Sequence, residues 1–446
     1  MMHFSLSRPV RVHAWVISTM LVLLTTHTVV VAQTNSITNR EMTLQSAIQR
    51  TLANSPELHE FTYRQQAIEG EIKTASLKPA LNVGIEVENF LGTGKVSGIK
   101  DTELTLTLSS VIELGNKLHS RKAFAKAQST LVEAQKQVHT LDVLAEVTRR
   151  YIDVLAQQAL IDAQKDAETL ARYTYQAVTK RVDAGASPAF EQKRAEAALA
   201  RARLDVVTAQ QTKQAMINSL AIMWGEKDPS FTDVEGDLFA LQSSPSLTAL
   251  FTTLLDSPNL EVYAQESRLQ ASQVRLTQAA NQSDLSWTAG IRRMNGIDET
   301  AFVAGVSMPL FAGDRNLGEY EKQRAIQAQL EQQKESATQS LYHQLNMALM
   351  VRNNALLNLQ TLQNSIIPPL VQALELVEQA YINGRFSYLE WVSTRQELLN
   401  AKQALIQSAK QAHQRGADIE SLTAQPLVDT INTSFRENQN EQKYIK

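Results

Sequence analysis

A long run without glycine or proline, from Asn116 to Ala184, constrains the fold of this chain more than any other feature. At 1.5 Å per residue, a helix over this run would be roughly 100 Å long. Such a helix is much longer than those of globular domains and is typical of a rod or a coiled coil. After Gly185, residues 189–224 again contain no helix breaker, so the sequence predicts a helical hairpin over about 116–224.

The same arrangement returns in the second half of the chain. Residues 319–367 contain no breaker, Pro368 and Pro369 follow, and Gly384 precedes a further run to residue 415. These features predict a second long helical hairpin over about 316–420. A proline lacks an N–H donor and clashes with the preceding turn, so the proline pair should kink the outgoing helix. The first hairpin has no such pair, and the two hairpins should therefore differ in curvature.

Ordered landmarks indicate that the chain consists of two repeats with a period of about 200 residues. The segment Leu52–Leu58, which contains Ser55-Pro56, matches Leu254–Leu260, which contains Ser257-Pro258. The turn at Gly185 matches the turn at Gly384. We predict a first repeat over residues 33–243, a second over 244–425, and a polar C-terminal tail over 426–446 with no assigned role.

Each repeat also contains two segments with a period of two, which is typical of β-strands. The predicted strands span about 81–89 and 102–112 in the first repeat, and about 285–293 and 301–310 in the second. Strands of this length suit a tilted crossing of a membrane with an apolar outer face. The strands of a soluble β-hairpin with one buried face would show the same period of two. Because four strands cannot close a barrel, the membrane interpretation requires several subunits to pool their strands.

The N-terminus has the pattern of an export signal. Arg8 and Arg11 precede an apolar stretch from Ala14 to Leu24, and small residues end at Ala32. We therefore predict a cleaved signal peptide over residues 1–32. The chain contains no cysteine, so an exported protein of this size would be held by packing alone.

No constellation of catalytic or cofactor-binding residues is visible, so we predict that the protein is not an enzyme and has no cofactor or metal site. The histidines beyond residue 32 are scattered and are interpreted as surface residues of helices: His59, His119, His139, His343 and His413. No partner cysteine or zinc motif accompanies them. The formal net charge of −3 argues against a nucleic-acid partner.

Several segments, taken in order, resemble the TolC family of outer-membrane efflux proteins. They are Asn54–Leu58, Ile112–Lys117 with Arg121 and Ala125, Arg181–Gly185 with Ser187 and Glu191, Met308–Phe311 with Asp314–Asn316, and Tyr381–Gly384 with Ser387 and Leu389–Glu390. The nearest likeness is to the CzcC-like branch, which serves heavy-metal pumps of the resistance-nodulation-division type. That branch usually has two glycines where the strand passes into the helix, and Asn116 here replaces the second.

The resemblance implies a mainly α fold with a small membrane β-barrel and long coiled-coil hairpins. A homotrimer would pool four strands per subunit into a 12-strand barrel in outer-membrane lipid, and its helices would form a periplasmic tunnel. The tips of the hairpins would close the inner end and meet a periplasmic adaptor, which couples the channel to an inner-membrane pump. The implied function is passive exit of heavy-metal cations.

The predicted functional residues lie at the two helical reversals. The candidates for adaptor docking are Arg181, Asp183, Gly185, Ala186 and Ser187, and Tyr381, Asn383, Gly384, Phe386 and Ser387. Asp183, Glu191 and Glu390 are candidates for an acidic ring at the aperture, which would favour cations.

Two other interpretations remain open from the sequence. In the first, the cargo of the channel is drugs or, in type I secretion, a polypeptide, since cargo is normally selected by the pump. In the second, the chain is a periplasmic helical scaffold or adaptor without a pore, which would share the long helices and the export signal.

Overall fold

The computed structural model describes residues 41–96 and 98–427. The predicted signal peptide, residues 1–32, lies outside the described residues, as does the predicted tail beyond residue 427.

The first half of the described chain contains two short helices, a β-hairpin and a long helical hairpin. Its elements are β1 (Glu41–Met42), α1 (Leu44–Asn54), α2 (Pro56–Ala75), β2 (Asn82–Glu88), β3 (Glu103–Ile112), α3 (Lys117–Asp183), α4 (Ala189–Ala221) and β4 (Asp233–Val234). Helix α3 is a single helix of 67 residues. The short strands β1 and β4 pair in parallel.

The second half follows the same order. Its elements are α5 (Leu247–Leu255), α6 (Pro258–Ala279), β5 (Leu285–Met294), β6 (Glu299–Ser307), α7 (Ala312–Thr361), α8 (Ile367–Ile382) and α9 (Tyr388–Thr423). A π-helical segment, Leu362–Ile366, separates α7 from α8. This interruption lies just before Pro368 and Pro369, and the first half has none within α3.

The two β-hairpins join into one antiparallel sheet with the strand order β2-β3-β5-β6. The inner strands β3 and β5 pair over ten residues, from Glu103 opposite Met294 to Ile112 opposite Leu285. Strands β2 and β6 lie at the two edges, and each has one neighbour among the described residues.

Both long outgoing helices begin immediately after a residue with left-handed backbone geometry. Asn116 precedes α3 with φ of 60°, and Phe311 precedes α7 with φ of 60°. Gly115 also has positive φ, and a Cβ there would lie 2.8 Å from the carbonyl oxygen of Ala279. Asparagine tolerates this conformation, whereas a bulky phenylalanine rarely adopts it.

Two boundaries differ from those expected for the second half. Strand β6 ends at Ser307 and not near residue 310, because Pro309 has no N–H to donate to a sheet. Helix α7 begins at Ala312, a few residues before the predicted start, and Gly313 and Gly318 lie inside it. Asp314 in its first turn interacts favourably with the positive end of the helix dipole.

The buried apolar residues of the helices form separate clusters. The central core contains Val147, Tyr151, Ile217, Leu220, Leu359 and Ile406, among others. The tip core consists of Val178, Ala195, Leu374, Tyr381, Tyr388, Trp391 and Leu398. All four long-hairpin helices next to the reversals, α3, α4, α8 and α9, contribute to the tip core.

The interpretation of His413 as a surface residue was wrong. Its side chain is 2% exposed, and its Nε2 lies 3.0 Å from the carbonyl oxygen of Leu238. Arg352, also 2% exposed, donates to Ser244 Oγ at 2.5 Å and to the Gln242 carbonyl at 3.2 Å. These two side chains hold the segment between the halves against α7 and α9.

Candidate functional site

Both helical reversals use the same backbone motif. In the first, the N–H of Ala186 donates to the carbonyl of Arg181 at 2.7 Å, and the N–H of Gly185 donates to that of Val182 at 2.9 Å. In the second, Arg385 and Gly384 donate in the same pattern to Ala380 and Tyr381, at 2.8 and 3.0 Å. This is a Schellman motif, whose central glycine has positive φ, here 70° at Gly185 and 73° at Gly384.

The returning helices start differently in the two reversals. Ser387 caps α9 in a capping box, in which the Glu390 carboxylate accepts from the Ser387 N–H at 3.2 Å. In the first reversal, Pro188 is at the N-cap of α4 and makes no side-chain capping bond. Glu191, which stands at the position of Glu390 relative to the turn glycine, therefore has no capping serine to contact.

Arg181 links the two reversals. Its guanidinium donates to the carbonyl of Ile382 at 2.8 Å, across to the second hairpin. It also donates to Ser187 Oγ at 3.1 Å and to the Ala186 carbonyl at 3.1 Å within its own turn. The guanidinium carbon lies 5.0 Å from the centroid of the Tyr381 ring, within cation–π range.

A second link joins Tyr381 to Glu191. The Tyr381 hydroxyl donates to Glu191 Oε2 at 3.1 Å and lies 3.5 Å from Ser187 Oγ. Burial raises the pKa of the Tyr381 phenol, and the neighbouring Glu191 carboxylate adds to this increase. The phenol therefore stays protonated as a donor, and the two hairpins are joined by side chains from both sides of the contact.

The ring of Tyr381 belongs to the interior of the tip and not to its surface. Tyr381 is 2% exposed, and its ring centroid lies 5.1 Å from that of the fully buried Trp391. Tyr388 completes this aromatic group at 6.4 Å from Tyr381. Among the predicted docking residues, Tyr381 thus acts by positioning the reversals.

Some of the other predicted residues are exposed, and others form hydrogen bonds within the tip. The exposed ones at the surface of the tip are Asp183, Gly185, Ala186, Asn383, Gly384, Phe386 and Ser387. Of the predicted acidic residues, Glu191 and Glu390 accept hydrogen bonds within the tip. Asp183 is exposed at the end of α3.

Sequence reasoning missed two exposed apolar side chains at the tip. Phe190 and Leu389 are each 59% exposed and follow the two turn glycines by the same number of residues. Together with Phe386, which is 52% exposed, they give the tip an apolar surface. Alignment of the two reversals on Gly185 and Gly384 would have found this pair.

One face of the four-stranded sheet is apolar and exposed. The register places Ile85, Leu106, Ile291 and Phe302 in one row across the strands. Phe302 is 93% exposed and Ile85 is 72% exposed. Burying an apolar side chain of this size stabilises a protein by about 1.5–3 kcal/mol, so this face is suited to an apolar environment.

The opposite face of the sheet is polar. Arg292 on β5 forms ion pairs with Glu88 on β2 at 2.8 Å and with Glu103 on β3 at 3.0 Å. Its Nε also donates to Thr105 Oγ1 at 2.9 Å. This cluster joins three strands on the side opposite the apolar row.

Two features are absent from the described residues. Within residues 41–96 and 98–427, no group of three or more histidine, cysteine or acidic side chains has a geometry that could hold a metal ion. In the same part of the chain, no helix has an apolar stretch sufficient to cross a bilayer.

Two known proteins are similar to this chain in sequence. The chain is 25% identical to the cobalt-zinc-cadmium resistance protein CzcC of Cupriavidus metallidurans over 385 residues, which cover 85% of this chain and 90% of CzcC. It is 24% identical to the nickel-cobalt-cadmium resistance protein NccC of Alcaligenes xylosoxydans, over 54% of each chain.

Solved structures share the fold at lower identity. The crystal structure of CusC, described in connection with transmembrane channel formation, has a TM-score of 0.72 and 17% identity, covering 85% of this chain and 91% of CusC. The outer membrane protein VceC of Vibrio cholerae has a TM-score of 0.68 and 17% identity, covering 86% of this chain and 97% of VceC.

The family model described as "Outer membrane efflux protein" matches residues 47–226 and 250–425, which is most of the chain. Both matched segments include a β-hairpin of the sheet and a long helical hairpin. The chain therefore belongs to the family of outer membrane efflux proteins.

Proposed function

We propose that the protein is the outer-membrane channel subunit of a tripartite efflux system for heavy-metal cations. Three copies would pool their four-stranded sheets into a 12-strand barrel in outer-membrane lipid. The paired long helices would continue as a periplasmic tunnel built from two repeats of one unit. A periplasmic adaptor would couple the tip to an inner-membrane pump of the resistance-nodulation-division type.

The sheet is the observation that carries this proposal. One of its faces exposes a row of large apolar side chains, the other holds the Arg292 ion-pair cluster, and both of its edges are open among the described residues. Unpaired edges and an exposed apolar face are costly for a monomer in water. If β2 pairs with β6 of the next copy, the backbone groups of both edges form hydrogen bonds. If the apolar face lies toward lipid, its side chains are removed from water.

The tip described here suits the closed end of such a duct. Arg181 and Tyr381 tie the first hairpin to the second, and an adaptor could open the tip only by binding the separated arrangement more tightly. The exposed residues Phe190, Phe386 and Leu389 offer the adaptor an apolar contact surface. Three copies of Asp183, with Glu191 and Glu390 behind them, would form an acidic ring that favours cations.

The proposed cargo follows from the similarity to a relative. The similarity to CzcC, a cobalt-zinc-cadmium resistance protein, favours divalent metal cations over drugs or a secreted polypeptide. A scaffold or adaptor without a pore is the competing function, and the exposed apolar row of the sheet speaks against it.

Single-channel recording on the full chain, purified in detergent and added to a planar bilayer, tests the proposal. We expect a trimeric mass and discrete conductance steps. A water-soluble monomer or dimer without conductance would overturn the channel and leave the scaffold as the function.

A matched pair of variants tests the acidic ring in the same bilayer. Asp183→Asn should lower the selectivity for cations, because it removes one negative charge per subunit at the tip. Asp228→Asn removes the same charge from an exposed position outside the tip and should leave selectivity unchanged. Equal effects of the two substitutions would argue against a ring at Asp183.

A further inference from the structure

The two outgoing helices differ at one place. Helix α3 runs without interruption for 67 residues, whereas the corresponding helix of the second half is broken between α7 and α8 by the π-helical segment Leu362–Ile366. At this break the Ile367 N–H donates to the carbonyl of Leu362, five residues back, instead of four. Ile366 has φ of −106°, well away from the helical value near −63°.

The proline pair weakens the same place. In a regular helix the N–H groups of residues 368 and 369 would donate to the carbonyls of Asn364 and Ser365. Pro368 and Pro369 have no N–H, so neither of these bonds can form. The π turn therefore lengthens the hydrogen-bonded ring at Ile367, and the prolines remove the next two axial hydrogen bonds.

The π-helical segment has no buried side chain that would offset the weakened backbone, although Ile367, which follows it, packs against the tip core. None of the five residues of the π-helical segment is buried. On one side, Leu359 is the last buried residue of α7 and belongs to the central core. On the other, Leu374 is the first buried residue of α8 and belongs to the tip core. The break thus lies at the border between two independently packed clusters.

We infer that residues 362–369, here called the π–proline hinge, are the point at which the second hairpin bends while the first hairpin stays rigid. A change of angle here moves α8 relative to the central core, together with Ile367 and the tip core against which Ile367 packs. None of residues 362–366 is buried, so their movement disrupts no buried side chain. The neighbouring helix α9 is continuous and would accommodate the change by gentle curvature. The use of this hinge in opening the tip rests on the proposed function; the bending itself does not.

Spin-label distances across the hinge test the inference directly. Because the chain has no cysteine, cysteines can be introduced in pairs for labelling. Asn354 and Gln372 are exposed and flank the hinge, 18 positions apart. Asp162 and Lys180 are also exposed and have the same separation in the uninterrupted α3. Full-length protein in detergent is labelled at one pair and mixed with excess unlabelled chain, so that only distances within one chain are recorded.

We expect a narrow distance distribution centred at ~27 Å for the α3 pair and a broader one for the pair across the hinge. A straightened variant, with Asn364 removed and with Pro368→Ala and Pro369→Ala, should narrow the second distribution. The amides of Ile366, Ile367, Leu370 and Val371, which both chains have, should exchange with solvent about tenfold more slowly in the variant, because the hydrogen bonds restored at residues 368 and 369 oppose local opening. The double proline substitution alone, which keeps the chain length, should give part of this effect.

Equally narrow distributions for the two wild-type pairs would overturn the hinge, whatever the straightened variant does. That result would leave the channel itself untouched, since conductance of the wild-type protein is measured separately. A wild-type protein that bends at residues 362–369 but does not conduct would support the hinge and overturn the proposed function.

Discussion

At the residue scale, Arg181 stands out because its guanidinium contacts both reversals and one aromatic ring. It satisfies the Ile382 carbonyl at the end of α8, where the helix leaves acceptors without intrahelical donors. A cation at a helix C-terminus is also favoured by the helix dipole. Neither role was visible in the sequence, where Arg181 is one of several basic residues near a turn.

Removal of Arg181 should loosen the tip. Arg181→Ala deletes the two contacts that join the hairpins, the hydrogen bond to the Ile382 carbonyl and the cation–π contact with Tyr381, so the closed tip loses about 1–3 kcal/mol relative to the open one. The expected result is a higher open probability in single-channel records. Arg385→Ala removes the same charge from an exposed position at the second turn and serves as the control. An open probability raised equally by the two substitutions would assign the effect to net charge.

His413 should make stability depend on pH. Burial lowers the pKa of its imidazole to about 4, and the nearby Arg352 guanidinium contributes to the decrease. The unfolded chain binds a proton near pH 6.5 and the folded chain only near pH 4, so stability is lost as pH falls between these values. The loss should amount to about 3 kcal/mol at the lower end.

Thermal unfolding in detergent from pH 7 to pH 4 measures this loss. His413→Gln keeps an N–H donor for the Leu238 carbonyl but does not titrate, so the variant should lose less stability on acidification. Parallel pH profiles for wild type and variant would contradict the assignment to His413.

At the element scale, the two outgoing helices begin after residues that have the same backbone geometry but different side chains. Asn116 and Phe311 share the same left-handed backbone conformation before α3 and α7. That conformation costs a residue with a Cβ roughly 1–2 kcal/mol, and less for asparagine, which tolerates it. Phe311 is also 71% exposed, so the ring gains little from packing within the subunit.

Phe311→Asn should therefore stabilise the junction between β6 and α7. We expect the free energy of unfolding to rise by about 1 kcal/mol, measured by thermal or denaturant unfolding in detergent. Phe386→Asn replaces another exposed phenylalanine that does not have positive φ, and should give no such gain. A loss of stability in Phe311→Asn would indicate that the ring is packed in the assembled protein.

At the scale of the whole molecule, the two open edges of the sheet make a prediction about assembly. If β2 of one copy pairs with β6 of the next, cysteines on these strands should form disulfides between copies. A scan that combines one cysteine at positions 84–88 with one at positions 302–306 should give covalently closed trimers in oxidising conditions. The natural chain has no cysteine to interfere.

Each single-cysteine variant of the scan serves as a control and should give at most crosslinked dimers. If no pair of positions gives crosslinks in protein that conducts in a bilayer, then β2 of one copy does not pair with β6 of the next.

Much of the fold followed from local pattern. The absence of breakers between Asn116 and Ala184 is a property of the chain alone, because helix formation is limited by backbone donors and steric freedom. The alternation in 102–112 indicated a strand for the same kind of local reason, and the structure has β3 over Glu103–Ile112. The glycines at 185 and 384 marked the reversals, since each must adopt positive φ.

The tertiary structure alone decided which residues about 200 positions apart contact each other. The pairing of β3 with β5, the reach of Arg181 to Ile382, and the burial of His413 beneath Leu238 all depend on how the two halves lie against each other. Local periodicity carries no information about such distant partners, because the same amphipathic helix can pack in many arrangements. The sequence determined the elements and the turns of this protein, and packing between its halves decided which of those turns became linked.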